Sequence, residues 1–259
     1  MVINKDTKIC VSVASKPGNF GALVHNYCYE QFGLNYVYLP LATKNFKSTM
    51  KWVNATPNVI GCSVSMPYKK EAIRYVKNKK EYDNINTIYK IKDELWGYST
   101  DLFAIKKVLS SLHPNLFESI CIFGNGAMAK NFKIALEKKY DKLDILNHKQ
   151  VEEFIFEKPY TMIINATPIG MNEYDYTSFG VYDLIKNAKI VIDCPVGLNF
   201  DPTFTKMAKE YKKEIITGID ITLLQAAKQF ERYTQTNFYQ VYNGMRECLN
   251  DYRNKTKIS

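Results

Sequence analysis

Apolar residues fall into short runs bounded by glycine, proline or asparagine, and these runs alternate with stretches whose apolar positions recur at helical spacing. Lys8 to Ala14 (KICVSVA), Asn35 to Leu41 and Val59 to Val64 read as strands. Between them the spacing predicts helices over Ala22 to Gln31, stopped by Gly33, and over Phe46 to Val53. The loop from Ser15 to Gly21 is broken by Pro17, Gly18 and Gly21. Ser65-Met66-Pro67 opens a further predicted helix running to about Asn78, since proline is tolerated in a first turn. This alternation predicts an α/β layer with a largely parallel sheet. Asn86 to Tyr98 (NTIYKIKDELWGY for Asn86 onward) interrupts it and reads as a hairpin turning near Lys92-Asp93.

From Asp101 onward the pattern predicts helix (Asp101 to Leu112), strand (Ile120 to Phe123), helix (Ala127 to Lys138) and strands at Leu143 to Leu146, Thr161 to Ala166 and Ile190 to Asp193. A helix (Phe204 to Tyr211) and a strand (Glu214 to Thr217) follow. Ile221 to Tyr252 reads as two helices broken near Thr236-Asn237. A run of strands each ending in turn residues is what a doubly wound nucleotide domain requires. The expected division is therefore a first domain over residues 1–100 and a second over 101–236.

The stretch Ser119 to Leu136 (SICIFGNGAMAKNFKIAL) carries the most chemistry: a buried strand, a tight glycine turn and a helix. In a G-x-G-x-x-A turn the first glycine, Gly124, makes the bend and the second, Gly126, lets the backbone approach a pyrophosphate. The small third residue, Ala129, lets the helix pack closely. The N–H groups at the start of that helix, around Asn125 to Ala127, suit anionic phosphates. Taken alone, the motif also fits a glycine-tightened strand-to-helix turn.

Composition narrows the field. A hydrophobic share of 46% and a charged share of 24% suit a globular protein. No apolar run approaches the roughly 20 residues that span a bilayer, and MVINKDTK lacks the apolar core of a signal peptide, so a cytoplasmic location with no membrane partner is expected. The six cysteines show no C-x-x-C spacing and read as small core residues of a reducing compartment. With only three histidines, no metal site is expected. The net charge of +9 comes from scattered lysines with no long run of like charge. Such a field attracts anionic small molecules, and no nucleic-acid partner is expected.

Six motifs, in order, resemble the shikimate and quinate dehydrogenase family: SVSMPYK (Ser63 to Lys69), INT (Ile85 to Thr87), GYSTD (Gly97 to Asp101), FGNGAMA (Phe123 to Ala129), INATPIGM (Ile164 to Met171) and TGIDITLLQAA (Thr217 to Ala227). The opening segment is similar to the divergent shikimate dehydrogenase-like branch. The resemblance implies a substrate domain at residues 1–100, a Rossmann-type NADP-binding domain at 101–236 and a final helix, 237–259, that returns to the first domain. It implies an NADP-dependent oxidoreductase, tied to aromatic amino acid biosynthesis, that reversibly oxidises a secondary alcohol of shikimate or a related small hydroxylated carboxylate, acting as a monomer or homodimer. Lys69 and Asp101 match the family's catalytic pair, one carrying the hydroxyl proton while the other orients the substrate. Read without the family, Lys69 is a solvated lysine beside Lys70 and Asp101 a helix N-cap.

The same resemblance places Asn86 and Gln225 on the hydroxyls of a ring substrate, with Ser63 and Ser65 standing where the family has asparagine and threonine. Gly124, Asn125, Gly126 and Ala127 match the phosphate turn, and Asn165, Thr167 and Gly218 the nicotinamide side. After the strand LDIL there is no acidic residue but Asn147-His148-Lys149, which is similar to the signature of NADP-dependent members and favours NADP over NAD; Glu152, where some members carry arginine, points the other way. Departures fall on recognition. Asn19 and Gly21 stand at the two serines that hold a shikimate carboxylate, Ala22 at a proline, Asp193 at a tyrosine, Ser99 at an asparagine and Asp220 at a glycine. Lost carboxylate donors imply weak shikimate activity. The alternative reading is a catalytically weak ligand-binding or regulatory module on the same fold.

Overall fold

In a computed structural model of the protein, which describes residues 3–137, 139–147, 159–170 and 179–257, the apolar runs assemble into two sheets belonging to two units. Met1–Thr100 groups with Leu223–Ser259, and Asp101–Thr222 forms the other unit.

The first unit is built on β1 (Lys8–Ala14), β2 (Tyr36–Ala42), β3 (Val59–Val64), β4 (Thr87–Ile91) and β5 (Glu94–Tyr98), in the order β2-β1-β3-β4-β5. β1 runs parallel to β2 and β3, while β4 is antiparallel to β3 and β5. Strands covered on both faces lose the alternation of a half-exposed sheet, and β3 is buried at five of its six positions for that reason. On one face Val11, Val13 and Val59 meet Phe46, Met50 and Val53 of α2 (Phe46–Ala55). The hairpin turns at Lys92 and Asp93, whose φ angles of 48° and 62° suit a two-residue primed turn.

The helix expected over residues 65–78 does not form. Residues 66–70 make turns, followed by a short 3-10 helix, Glu71–Tyr75. Carbonyls that an α-helix would use internally go elsewhere: Met66 O accepts from Ser15 N and Lys69 O from Ile85 N. Tertiary hydrogen bonds thus outcompete the local pattern.

In the second unit β6 (Ser119–Phe123), β7 (Lys142–Leu146), β8 (Met162–Asn165), β9 (Ile190–Asp193) and β10 (Glu214–Thr217) are all parallel, in the order β10-β9-β8-β6-β7. Every residue of β8 and β9 is buried, as expected of a sheet covered by helices on both faces. These helices are α3 (Thr100–Ser110), α4 (Ala127–Leu136), α5 (Phe179–Asn187) and α6 (Thr203–Glu210). The sequence pattern did not predict α5, nor the 3-10 turn Pro114–Phe117. Lys138, the expected end of α4, lies outside the described residues. β7 and β8 flank β6 on opposite sides, so the strand order reverses beside β6, and a doubly wound sheet takes its ligand at such a point.

Two helices close the chain, α7 (Gly218–Thr234) and α8 (Phe238–Lys257). The break falls where expected, with Gln235 at φ 61° and the Asn237 side chain accepting from Tyr239 N and Gln240 N. Residues 223–236, however, belong with the first unit and not the second. The cause is packing: Phe230 lies against Tyr29 and His25, and Tyr233 against Gly61, where an added Cβ would come within 2.5 Å of its ring. α8 packs on α1 (Phe20–Gln31), with the Cys248 thiol on Leu23 O and the Cys28 thiol on Val241 O. All six cysteines are free thiols, and burial pushes Cys10 and Cys28 up to about 12 and Cys248 to about 11. Among the described residues no helix is long and apolar enough to cross a membrane.

A polar cluster lies inside the first unit. Tyr38 donates to Ser63 Oγ at 2.7 Å, Ser63 donates to Gln229 Oε1 at 3.0 Å, and Tyr233 Oη lies 2.9 Å from the same Oγ. With its own proton given to Gln229, Ser63 must accept from Tyr233, so its one donor and two acceptor positions are filled. The His25 ring stacks on Tyr38 at 4.3 Å and 14°, wholly buried, with neither nitrogen hydrogen-bonded among the described residues. Burial depresses its imidazole from 6.5 to about 3, against a smaller opposing pull from Gln229.

Two expectations follow from this packing. Gly61→Ala drives a methyl group into the Tyr233 ring and should lower stability in urea unfolding by roughly 2 kcal/mol; unchanged stability would contradict the close approach. Between pH 6.5 and about 3 the unfolded chain binds a proton at His25 that the folded chain refuses, so stability falls as pH drops through that window. His25→Phe keeps a stacked ring and removes that proton. From pH 7 to pH 4.5 the variant should lose about 2 kcal/mol less than the parent, and an identical loss would contradict the assignment.

Candidate functional site

The turn after β6 has the geometry its glycines permit. Gly124 sits at φ 110°, where a side chain is strained, and a Cβ there would meet Ala166 O at 2.9 Å. Its N–H donates to Leu146 O at 2.7 Å, so the loops after β6, β7 and β8 come together at the strand-order reversal. Gly126 differs: its φ is −75°, and a Cβ on it would meet nothing within 4 Å. The protein's own packing therefore does not require glycine at 126. The open space in front of it, at the start of α4, is where a phosphate group would need the backbone bare. Asn125, Gly126 and Ala127 are exposed, the N-cap residue Gly126 makes no side-chain capping bond to α4, and Ala129 is buried as the close-packing third residue.

Asn165 and Asp193 brace this region from within. The Asn165 amide donates to Asp193 Oδ1 at 2.9 Å and to Ile169 O at 3.2 Å, while its carbonyl accepts from Thr167 N and Thr167 Oγ1. Fully buried and fully engaged, Asn165 shapes the Thr167 loop from behind. Asp193 Oδ2 accepts from Thr205 N at 2.8 Å and Thr205 Oγ1 at 2.7 Å, in the first turn of α6. Burial pushes its carboxyl above the usual carboxylate range, against the pull of Thr205 and Asn165. The aspartate at this departure from the family pattern is thus a structural brace. Asp220, another departure, accepts from Thr217 N and Oγ1 and caps α7. Gly218 is forced by close approach, a Cβ there lying 2.2 Å from Pro195 O. Asn147, just after β7, is half-buried, and His148, Lys149 and Glu152 lie outside the described residues.

In the first unit Lys69 is half-buried in the turns after β3. Its neighbour Tyr68 stacks on Phe46 at 4.8 Å and donates to Thr43 O at 2.7 Å, and the Lys69 carbonyl accepts from Ile85 N, so the backbone on both sides is pinned. Asn86 is buried, its Oδ1 accepting from Thr100 N at 2.8 Å and Thr100 Oγ1 at 3.1 Å. The carbonyl side is thereby committed, and its Nδ2 has no partner among the described residues. Gln225 on α7 is half-buried, and its amide likewise has none. Asp101, buried, stands in the first turn of α3 in the second unit.

The remaining candidates divide. Ser65 and Asn19 are exposed, Asn19 ahead of α1 without capping it. Ser63 is saturated by the buried cluster. A Cβ on Gly21 would meet the Tyr38 ring and hydroxyl at 3.0 Å. Sequence reasoning missed Tyr38 and Gln229. Gln229 lies one helical turn beyond Gln225 on the same face, and its Nε2 reaches Asn86 O at 3.4 Å and Thr100 Oγ1 at 3.5 Å. Tyr38 carried no local signal. Among the described residues no group of histidine, cysteine and acidic side chains is placed to hold a metal.

Comparison with known proteins agrees with this geometry. Residues 20–88 match the shikimate dehydrogenase substrate binding domain. The shikimate dehydrogenase-like protein of Haemophilus influenzae is 31% identical over 255 residues, covering 90% of this chain and 93% of that protein. The NADP(+) shikimate dehydrogenase of Pyrococcus furiosus is 27% identical over 256 residues, covering 90% and 92% respectively. The solved structure of a shikimate 5-dehydrogenase-like protein superposes with a TM-score of 0.78 at 28% identity, covering 95% of this chain and all of that one. With its N-terminal α/β unit, its doubly wound second unit and a final helix packed on the first, the chain belongs to the shikimate and quinate dehydrogenase family.

Proposed function

We propose that the protein is an NADP-dependent oxidoreductase that reversibly oxidises a secondary alcohol on a small hydroxylated ring compound. The observation that carries this reading is the bare backbone at Gly126, open in front of α4 at the strand-order reversal, together with a pinned Lys69. Residues Asp101–Thr222 would hold the cofactor, and the first unit the substrate. The named NADP(+) dependence of the archaeal relative supports the cofactor choice, as does the lack of an acid in Asn147-His148-Lys149. NADP, when bound, supplies the hydride acceptor.

Oxidation of an alcohol removes a hydride from carbon and a proton from oxygen. Lys69 and Asp101 would take that proton and hold the hydroxyl oriented, and in the reverse direction return it to the forming alkoxide. Asn86, with its carbonyl committed to Thr100, can offer only N–H donors, which fit the oxygen of a ring hydroxyl. Gln225 presents either polarity. Ser65 and Asn19 remain available to a ligand.

Absorbance of reduced nicotinamide should rise when the protein is given NADP+ with shikimate, quinate or a related hydroxy compound, less so with NAD+. Lys69→Ala should lower kcat about a hundredfold or more with the melting midpoint unchanged. Wild-type turnover by that variant would contradict the mechanism. Cofactor binding without reduction of any substrate would favour the binding-module reading.

A further inference from the structure

Arg232 and the phenols of Tyr82, Tyr89 and Tyr98 belong to none of the groups described above, and we infer that they form a second small-molecule site in the first unit, one that takes the oxyanion end of a solute, a carboxylate or a phosphate. The placement follows from the sheet. Gly61, Tyr89 and Trp96 lie opposite one another across β3, β4 and β5, and Tyr98, two residues beyond Trp96, shares their face. α7 lies over that face, with Tyr233 on Gly61 and the Arg232 guanidinium over Tyr98, its Cζ 4.4 Å from the ring centroid, and over Tyr89 at 5.6 Å. Tyr82 meets Tyr98 edge to face at 6.0 Å and 64°.

What sets this cluster apart is that none of its donors is spent. Ring faces attract the charge of a guanidinium but take none of its N–H groups. Arg232 has no hydrogen bond or ion pair among the described residues, and its Nε is fully buried without a partner. The three phenol hydroxyls are likewise unbonded among the described residues, yet none is sealed from water as the Arg232 Nε is, so each reaches solvent. Burial raises Tyr82 and Tyr89 above the ordinary phenol value, against the pull of Arg232, so both keep their protons near neutral pH. One cation and three O–H donors with nothing to donate to are complementary to an oxyanion, and the guanidinium edge suits a planar pair of oxygens. Glu81 opposes this, since its charge is felt by Tyr82 and Tyr89. Its Oε2, however, accepts from Asn78 Nδ2 at 2.9 Å, and it makes no ion pair with Arg232. Arg232 stands about two helical turns, roughly 10 Å, beyond Gln225 on α7. The site is therefore separate from the one proposed for the substrate.

The test follows the Arg232 Nε–H resonance of isotope-labelled protein, assigned by its loss in Arg232→Gln, since this group is shielded from water. Sodium phosphate, sodium acetate and sodium chloride are titrated at constant pH and matched ionic strength. A saturable shift is expected with phosphate, acetate or both, half complete at about 10 mM or below. The tighter of the two probes tells whether the ligand's acid group is a phosphate or a carboxylate. Tyr98→Phe keeps the ring beneath the guanidinium and removes one donor, so it should weaken the tighter probe about threefold or more with the melting midpoint unchanged. A linear drift equal to that in chloride overturns the inference in the wild-type protein alone. Unchanged affinity in both Tyr98→Phe and Tyr82→Phe overturns it as well. Nicotinamide reduction plays no part in the readout, so failure here leaves the proposed activity standing and failure of that activity leaves this site standing.

Discussion

The Ser63 hydroxyl accepts from Tyr38 on β2 and Tyr233 on α7 and donates to Gln229 on α7, so a single buried oxygen ties two strands to the helix that returns to the first unit. Such a group cannot lose one partner without leaving another buried polar atom unpaired, at a cost of about 1–3 kcal/mol. The rest of the first unit is arranged around that constraint. Gly61, one pleat away on the same strand, must be glycine because Tyr233 has to lie flat against β3 to reach Ser63. Gln229, oriented by Ser63, turns its amide toward Asn86 O and Thr100 Oγ1, and Thr100 in turn fixes which end of Asn86 faces outward.

The two units therefore carry different histories of constraint. In Asp101–Thr222 the glycine turn, the parallel sheet with its reversal beside β6 and the Asn165–Asp193–Thr205 brace are the supports of the proposed phosphate site. Its departures from the family pattern, Asp193 and Asp220, cap helices and hold loops. In the first unit the departures fall instead on groups that would face a ligand. There Ser63 is saturated by Tyr38, Tyr233 and Gln229, while the turn at Lys69 keeps its supports from Phe46, Thr43 and Ile85.

Much of the fold was legible in the sequence because it rests on local signals. β1, β3, β9 and β10 fall where apolar runs between breaker residues place them, and the Lys92-Asp93 turn follows from two short strands with nothing but a primed turn to join them. The helix expected over 65–78 failed because its carbonyls bond to Ser15 and Ile85, partners remote in sequence. The glycine turn was readable, but which glycine the fold needs and which it leaves free was not, since only the positions of Ala166 and of empty space tell them apart. Gly21 was visible as a departure. The tyrosine packed against it was not, because Tyr38 is held by Asn26 and Ser63, 12 and 25 residues away, and Gln229 lies 166 residues from Ser63.

The central claim, that the open backbone at Gly126 is a nucleotide phosphate site, is tested most directly by calorimetric titration of NADP+ into the wild-type protein and Gly126→Asp. Aspartate is a good N-cap and its charge favours a helix N-terminus, so the variant should melt at the same or a higher temperature. It also puts a negative charge where the phosphates would lie. The account predicts NADP+ binding to the wild-type protein and at least a tenfold loss in the variant, and equal affinity for the two proteins would contradict it.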